Sequence, residues 1–538
     1  MKMASIDLKN HAFLILVAIL ILCGDFGACY ARESKSCRRS RVHLSGVMDK
    51  GRKKYITPPA AAPKPMPPAP MPVPAPAPKP KPKPPAPMPV PAPAPKPKPK
   101  PPAPAPTPIP APPAPAPAPS PKNSTTFNVQ DYGAKGDGHT DDTKAFLAAW
   151  AAACKVEAST ILVPSGSVFL LGPISFAGPN CKPKIIFQLD GKIIAPTSAT
   201  AWGSGLLQWI QFTKLAGIII KGEGIIDGQG SVWWNDASVH AGTDTLQIIP
   251  SKGQNRTNEL NKMISAELSE MPKTKPTALR FYGSSDVTVT GITIQNSPHV
   301  HLKFDSCTNV QVSDISVSSP GDSPNTDGIH LQNSQNVLIH SCDLACGDDC
   351  ISIQTGCSNI YIHDINCGPG HGISIGGLGK DNTRACVSNV TVRNTVMRNT
   401  LTGVRIKTWQ GGSGSVNNIM FSDIQVSEVE TPIVIDQYYC DKEKCKNQTS
   451  AVAISGINYA NIQGTYTVQP VYFACSDNSP CTGISLATIQ LKPQQTSHNL
   501  YGPFCWETYG ELKTSTVPPI DCLQKGKPSN GPSEIDSC

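Results

Sequence analysis

The chain has 538 residues, of which only 16% are charged, and a formal net charge of +8. That charge is unevenly placed: residues 32–122 hold 17 Lys or Arg against 2 acids, residues 1–31 cancel, and residues 123–538 carry −7. An acidic main body argues against nucleic acid as a partner, and beyond the first residues no stretch is long and apolar enough to cross a bilayer.

The chain opens on an export pattern. Lys2 and Lys9 precede an apolar run from Ala12 to Leu22, and small residues follow. The run is too short for a membrane anchor, so residues 1–31 read as a signal peptide cut after Ala31. A secreted, extracellular, soluble protein follows, with no membrane contact after cleavage. The 19 Cys agree, because disulfides persist in that compartment. If Cys23 and Cys29 leave with the signal, 17 remain, an odd number that leaves at least one thiol unpaired or bridged between chains. The cysteines form no paired CxxC clusters, so no metal site is expected. Sequons at Asn123, Asn255, Asn389 and Asn447 suit the secretory route.

Residues 32–57 are basic and expected to be poorly ordered. Residues 58–121 are dominated by Pro, Ala and Lys, and a 17-residue unit beginning at Pro68 begins again at Pro85. Proline at every second position forbids helix and sheet and favours an extended, disordered polyproline arm. Such an arm serves either as a stiff spacer or as a polycation that grips a polyanion.

The folded domain is expected over residues 126–525, followed by a tail over 526–538. The acids of GDGHTDD (136–142) read as turn and helix-start residues. Thr140 or Asp141 would cap a short helix running through Ala145, Phe146, Ala149 and Trp150 to about Cys154. Short strands then recur. An Asx followed by Val or Ile stands at Asp286, Asn309, Asn336, Asn359, Asn389 and Asn418, at steps of 23, 27, 23, 30 and 29 residues. Strand repeats of that length mean a solenoid. With no helices between the strands, the expectation is all-β: a single-stranded parallel β-helix with an N-terminal capping helix. The matched Asn residues would form a structural ladder rather than a binding site.

Four segments carry chemistry: NTDGIH (325–330), CGDDC (346–350), GPGHG (368–372) and RIK (405–407). Asp327 to Asp348 is 21 residues and Asp348 to His371 is 23, each about one coil. Residues one coil apart stack on one face about 4.8 Å apart, so Asp327, Asp348 and His371 should form one stripe. Arg405 and Lys407 share a side of one strand by period two. His330, His340 and His363 read as structural.

These four segments, in this order, resemble glycoside hydrolase family 28, the polygalacturonases. The resemblance covers roughly residues 126–505, and the run ACGDDCISIQTGCSN looks like the plant branch. It implies a right-handed parallel β-helix and inverting hydrolysis of α-1,4-galacturonosidic bonds in de-esterified pectin. It also implies no cofactor, a monomer and a place in the cell wall. Asn325, Asp327, Asp348, Asp349, His371, Arg405 and Lys407 map onto the family motif, and Tyr439 in DQYY matches a tyrosine of the substrate cleft. Asp348 would be the general acid, with Asp327 and Asp349 activating water. Hydrolysis of this kind needs one protonated and one ionised carboxyl, and a crowded trio keeps one pKa raised. Stacking suggests closely spaced carboxylates, whereas inverting enzymes use wider pairs; the resemblance favours inversion. Asp348 and Asp349 would point oppositely in a regular strand, and Gly347 would supply the bend that lets both face the cleft. Arg405 and Lys407 suit a substrate with one carboxylate per sugar. Asn325 and Tyr439 would join them in binding. By the same resemblance Cys350 pairs with Cys367. Cys440 and Cys445, and Cys475 and Cys481, are close enough to close small loops. The alternatives are another pectin-backbone hydrolase, acting on rhamnogalacturonan or a decorated galacturonan, a calcium-dependent lyase, and a non-catalytic Pro-rich wall protein. Endo attack is favoured over exo.

Overall fold

The structure, a computed structural model, describes residues 125–234, 271–441, 444–494, 500–529 and 538. The signal segment, the basic segment, the Pro/Lys arm, the sequons at Asn123 and Asn255 and most of the C-terminal tail lie outside the described residues.

Short strands stack coil upon coil, and every strand pairing is parallel; one sheet has 19 strands and a second has 11. This is a right-handed parallel β-helix. The repeat seen in the sequence is the coil. Successive inward residues therefore fall in one continuous row. In the 11-stranded sheet that row runs Phe176, Phe212, Phe281, Phe304, Leu331, Ile353, Ile375, Ile406, Ile435 and Phe473. All ten are fully buried. The phenylalanines stack with centroids 4.9, 5.3 and 5.2 Å apart, close to the strand spacing. Each such side chain contributes roughly 1.5–3 kcal/mol by leaving water. The core is thus a column rather than a ball, and the outer face of the same sheet is left to chemistry.

A helix, α1 (Thr143–Ala153), closes the N-terminal end of the column, burying Ala145, Phe146, Ala149, Trp150 and Ala153. Phe146 meets Phe169 edge-on at 5.4 Å and Trp150 meets Phe176 at 5.1 Å. The helix begins later than expected. Asp137–Asp141 is a strand, and the cap position is Asp142. Thr140 is held by its hydroxyl on Asp137 at 2.7 Å. Asp142 is buried and its carboxylate accepts the Lys135 and Gly136 amides at 2.7 and 3.1 Å. The acids of this segment are turn staples.

The Asx positions sit at the corners. Asp286, Asn309, Asn336, Asn359, Asn389 and Asn418 all have φ between +54° and +56°, a left-handed conformation that Asn and Asp tolerate best after Gly. Each amide donates to the side chain one coil back, at 2.9, 3.2, 3.0, 2.6 and 3.2 Å. The ladder is structural, and it already engages the Asn389 amide nitrogen of that sequon.

Among the described residues six disulfides brace the coils. Cys350–Cys367, Cys440–Cys445 and Cys475–Cys481 form as expected. Cys154–Cys181, Cys386–Cys538 and Cys505–Cys522 complete the set. Among the described residues Cys307, Cys342, Cys346 and Cys357 are buried free thiols, more than the one that the odd count required. No described helix is long and apolar enough to cross a membrane.

Candidate active site

The outer face of the 11-stranded sheet carries a row in strict register: His330, Ser352, Ser374, Arg405. Lys407 lies two residues beyond Arg405 on the same strand, Thr402–Thr408. The turns that lead into these strands supply the acids. Asp327 stands two residues before Ile329, Asp349 two before Ile351, and His371 two before Ile373, and those isoleucines are register partners. The stacked positions are therefore Asp327, Asp349 and His371. Asp348 is displaced one residue from the stripe on which the spacing had placed it. The residue before Asp348, Gly347, is tightly packed. A Cβ there would lie 1.8 Å from the Ser323 carbonyl oxygen. Gly347 has no left-handed φ, so close approach, not an unusual bend, is what requires glycine.

The displacement gives the two adjacent aspartates different surroundings. Asp349 is 2% exposed. Its Oδ1 accepts from Arg405 Nη2 at 2.7 Å and from Ser374 Oγ at 2.8 Å, and its Oδ2 from Lys407 Nζ at 2.9 Å. Burial alone would raise its pKa, but Lys407 and Arg405 outweigh that and hold it below the usual carboxylate range. Asp348 reaches into the groove. Its Oδ1 lies 2.9 Å from His371 Nδ1, and its Oδ2 accepts from Asn325 Nδ2 at 3.2 Å. Burial opposes ionisation here too, but the His371 bond, with Lys407 and Arg405 behind it, keeps Asp348 ionised well below the usual range.

Asp327 is the opposite case. Burial, followed by the charges of Asp348 and Asp349, pushes it up to about 8. Among the described residues Asp327 makes no ion pair with Lys or Arg, so its surroundings favour the protonated form. Among the described residues its one side-chain partner is His330, Nδ1 to Oδ2 at 3.1 Å, and burial pushes His330 down to about 3. An imidazole kept neutral cannot stabilise the Asp327 anion by charge.

Tyr439 forms one wall. Its ring lies over Lys407 Nζ at 5.2 Å and meets Trp409 edge-on at 5.4 Å. Gly377 makes room for both rings, since a Cβ there would lie 2.8 Å from Trp409 Nε1. The groove encloses about 360 Å³ and is lined by Asn325, Asp327, Asp348, Asp349, Lys407 and Tyr439 with their neighbours. Donor atoms of Asp348, Asp349 and His371 lie within 4.8 Å of one another, near enough for a cation. Both Asp349 oxygens are already bonded to Arg405 and Lys407, whose positive charge opposes a metal there.

The groove thus holds a mostly buried trio of acids, one with a raised pKa and one pinned by two cations. The model of the family Glycosyl hydrolases family 28 matches residues 154–263 and 247–502. A polygalacturonase of Chamaecyparis obtusa is 43% identical over 371 residues, covering 69% of this chain and 67% of that protein. A polygalacturonase of Arabidopsis thaliana is 41% identical over 373 residues, covering 69% and 78%. The chain belongs to glycosyl hydrolases family 28.

Solved structures agree on the fold. The endo-xylogalacturonan hydrolase of Aspergillus tubingensis superposes with a TM-score of 0.56 at 22% identity, covering 77% of this chain and 98% of that one. An exopolygalacturonase of Thermotoga maritima gives 0.53 at 23%, covering 71% and 92%. As a member of family 28 the protein is a glycoside hydrolase.

Of the eight residues singled out from the sequence, six line this family 28 groove, and His371 and Arg405 bond its acids Asp348 and Asp349. Arg405 and Lys407 are placed differently from expectation. They are only 11% and 8% exposed and bond Asp349, with Arg405 Nε also on Ser374 Oγ at 3.1 Å. Sequence reasoning missed His330, Ser374, His299 and Trp409. The register row would have given His330 and Ser374, since both share a coil position with Arg405. Nothing local marks His299 or Trp409.

Proposed function

We propose that this protein is a secreted polygalacturonase that hydrolyses de-esterified pectin in the plant cell wall by inversion. Asp348 acts as the general acid, and Asp327 and Asp349 activate water. The observation that carries the reading is the cluster itself: Asp327, Asp348, Asp349 and Lys407 line one groove, with His371 bonded to Asp348 and Arg405 to Asp349 behind them.

The electrostatics support a single proton shared by the trio. In the free groove Asp327 carries it. Arg405 and Lys407 are part of what holds Asp348 ionised. A uronate carboxylate arriving beside those cations offsets their charge and raises Asp348. The proton then passes to Asp348, which delivers it to the leaving oxygen, while Asp327 and Asp349 become the ionised pair that takes a proton from water. Asp349 is a poor nucleophile toward carbon, because both of its oxygens already accept strong hydrogen bonds. That favours water attack, hence inversion, despite the close spacing of the carboxylates. His371 and Asn325 orient Asp348, and Tyr439 walls the groove. No metal or cofactor enters the scheme, and the protein acts as a monomer with an endo preference.

The test is hydrolysis of polygalacturonate, followed by sizing of early products. Wild-type protein should cut polygalacturonate in chelator and cut highly methyl-esterified pectin poorly. Equal rates on both polymers, or activity that needs added calcium, would count against this assignment.

A further inference from the structure

The outer row does not stop at His330. In register before it come Lys303 and then Arg280, so the face reads Arg280, Lys303, His330, Ser352, Ser374, Arg405. The two added cations differ. Arg280 is paired: its Nη2 bonds Asp305 Oδ2 at 2.5 Å, its Nη1 bonds Gln211 at 3.0 Å, and the guanidinium lies 4.8 Å from the centre of the Tyr282 ring, although its Nε is buried without a partner. Lys303 is half-buried, and among the described residues no ion pair or hydrogen bond holds its ammonium group.

Burial lowers the Lys303 pKa, and the charges of Asp305 and Asp327 offset that only in part. Asp305 lies two residues along the strand but spends Oδ2 on Arg280 and Oδ1 on Ser306 Oγ, at 3.0 Å. Arg280 on one side adds positive charge. His330 on the other side stays neutral, as burial pushes it down to about 3. Asp327, the nearest groove acid, carries the proton of the trio. His299, which lines the groove, also has its pKa lowered by burial. A partly desolvated ammonium with no direct ion pair gains from a ligand that supplies one.

We propose that Lys303 binds the carboxylate of a uronic acid unit lying on the N-terminal side of the bond being cleaved. The inference rests on the polyuronide reading above. Lys303 and Arg405 are four register steps apart, about 19 Å at roughly 4.8 Å per step. The acids lie between them. A linear polyuronide laid along the axis therefore meets a cation on each side of the reacting bond, and a chain with a charge on every unit has a carboxylate to offer at both.

The experiment compares full-length wild type with Lys303→Met and Lys303→Arg on polygalacturonate and on oligogalacturonates of increasing length. Lys303→Met should raise KM on long chains about 10-fold, with the loss falling on KM rather than kcat. Lys303→Arg should recover most of it. The defect should shrink on the shortest oligomer that is still cleaved, which cannot reach Lys303, and should narrow at high salt. If Met lowers the melting temperature, Lys303→Gln replaces it. A KM within two-fold of wild type on long chains, or an equal loss at every length, would overturn the role of Lys303 alone. Wild-type protein inert on polygalacturonate would overturn the polyuronide reading and this inference with it.

Discussion

Lys407 Nζ lies 2.9 Å from Asp349 Oδ2, and both side chains are less than a tenth exposed. With Arg405 on the other oxygen, this buried ion cluster forms the floor of the groove. Removing one member of a buried pair leaves the remaining charge uncompensated, at a cost of about 3–5 kcal/mol. Lys407→Met and Arg405→Ala should each lose stability on that scale by denaturant titration, and should lose activity beyond what the unfolded fraction explains. A variant as stable as wild type would show that the cluster does not hold the floor.

Asp348→Asn keeps the side-chain shape and removes the transferable proton. Hydrolysis of polygalacturonate should fall about 100-fold or more, with pectin binding retained. The measurement is initial rate against retention on a de-esterified pectin column. Near-normal turnover in a folded variant would remove Asp348 from the role of acid.

Asp327 gives the molecule a pH signature. Its folded pKa is about 8 against an ordinary 3.8. The folded state therefore holds this proton more tightly than the unfolded state does. Its stabilising contribution is complete below about pH 4 and is lost as pH rises through about 8. Melting temperatures should fall across that window, and Asp327→Asn should flatten the fall. Asp348 and Asp349 act in the opposite sense, since their lowered values stabilise above the ordinary carboxylate range and that support is lost in acid. The alkaline limb of kcat/KM should follow loss of the shared proton. An unchanged melting profile in Asp327→Asn would place that proton elsewhere.

Gly347→Ala should cost both stability and activity, because its Cβ would sit 1.8 Å from a backbone oxygen that has no room to retreat. Gly502→Ala is the control. A Cβ there meets nothing within 4 Å, and its φ is not left-handed, so the change should lie within about 0.5 kcal/mol of neutral. Equal melting points for the two variants would show that the Asp348–Asp349 turn can relax.

Much of this was legible in the sequence, because a solenoid turns sequence spacing into position. Asx residues every 23 to 30 positions defined the coil, and one coil step brought NTDGIH, CGDDC and GPGHG onto one face. The eight candidate site residues and the disulfide Cys350–Cys367 came from the family resemblance, and Cys440–Cys445 and Cys475–Cys481 from proximity in the chain. What spacing could not decide was how two neighbouring aspartates differ. Asp348 and Asp349 are chemically identical and adjacent in the chain. Asp349 is set apart by Arg405 and Lys407, 56 and 58 residues further on. The Asp327 pKa is raised because its carboxyl is buried beside two anions and a neutral imidazole. Spacing fixes which residues meet. Ionisation depends on burial and on charges brought in from distant coils, and only the folded molecule supplies those.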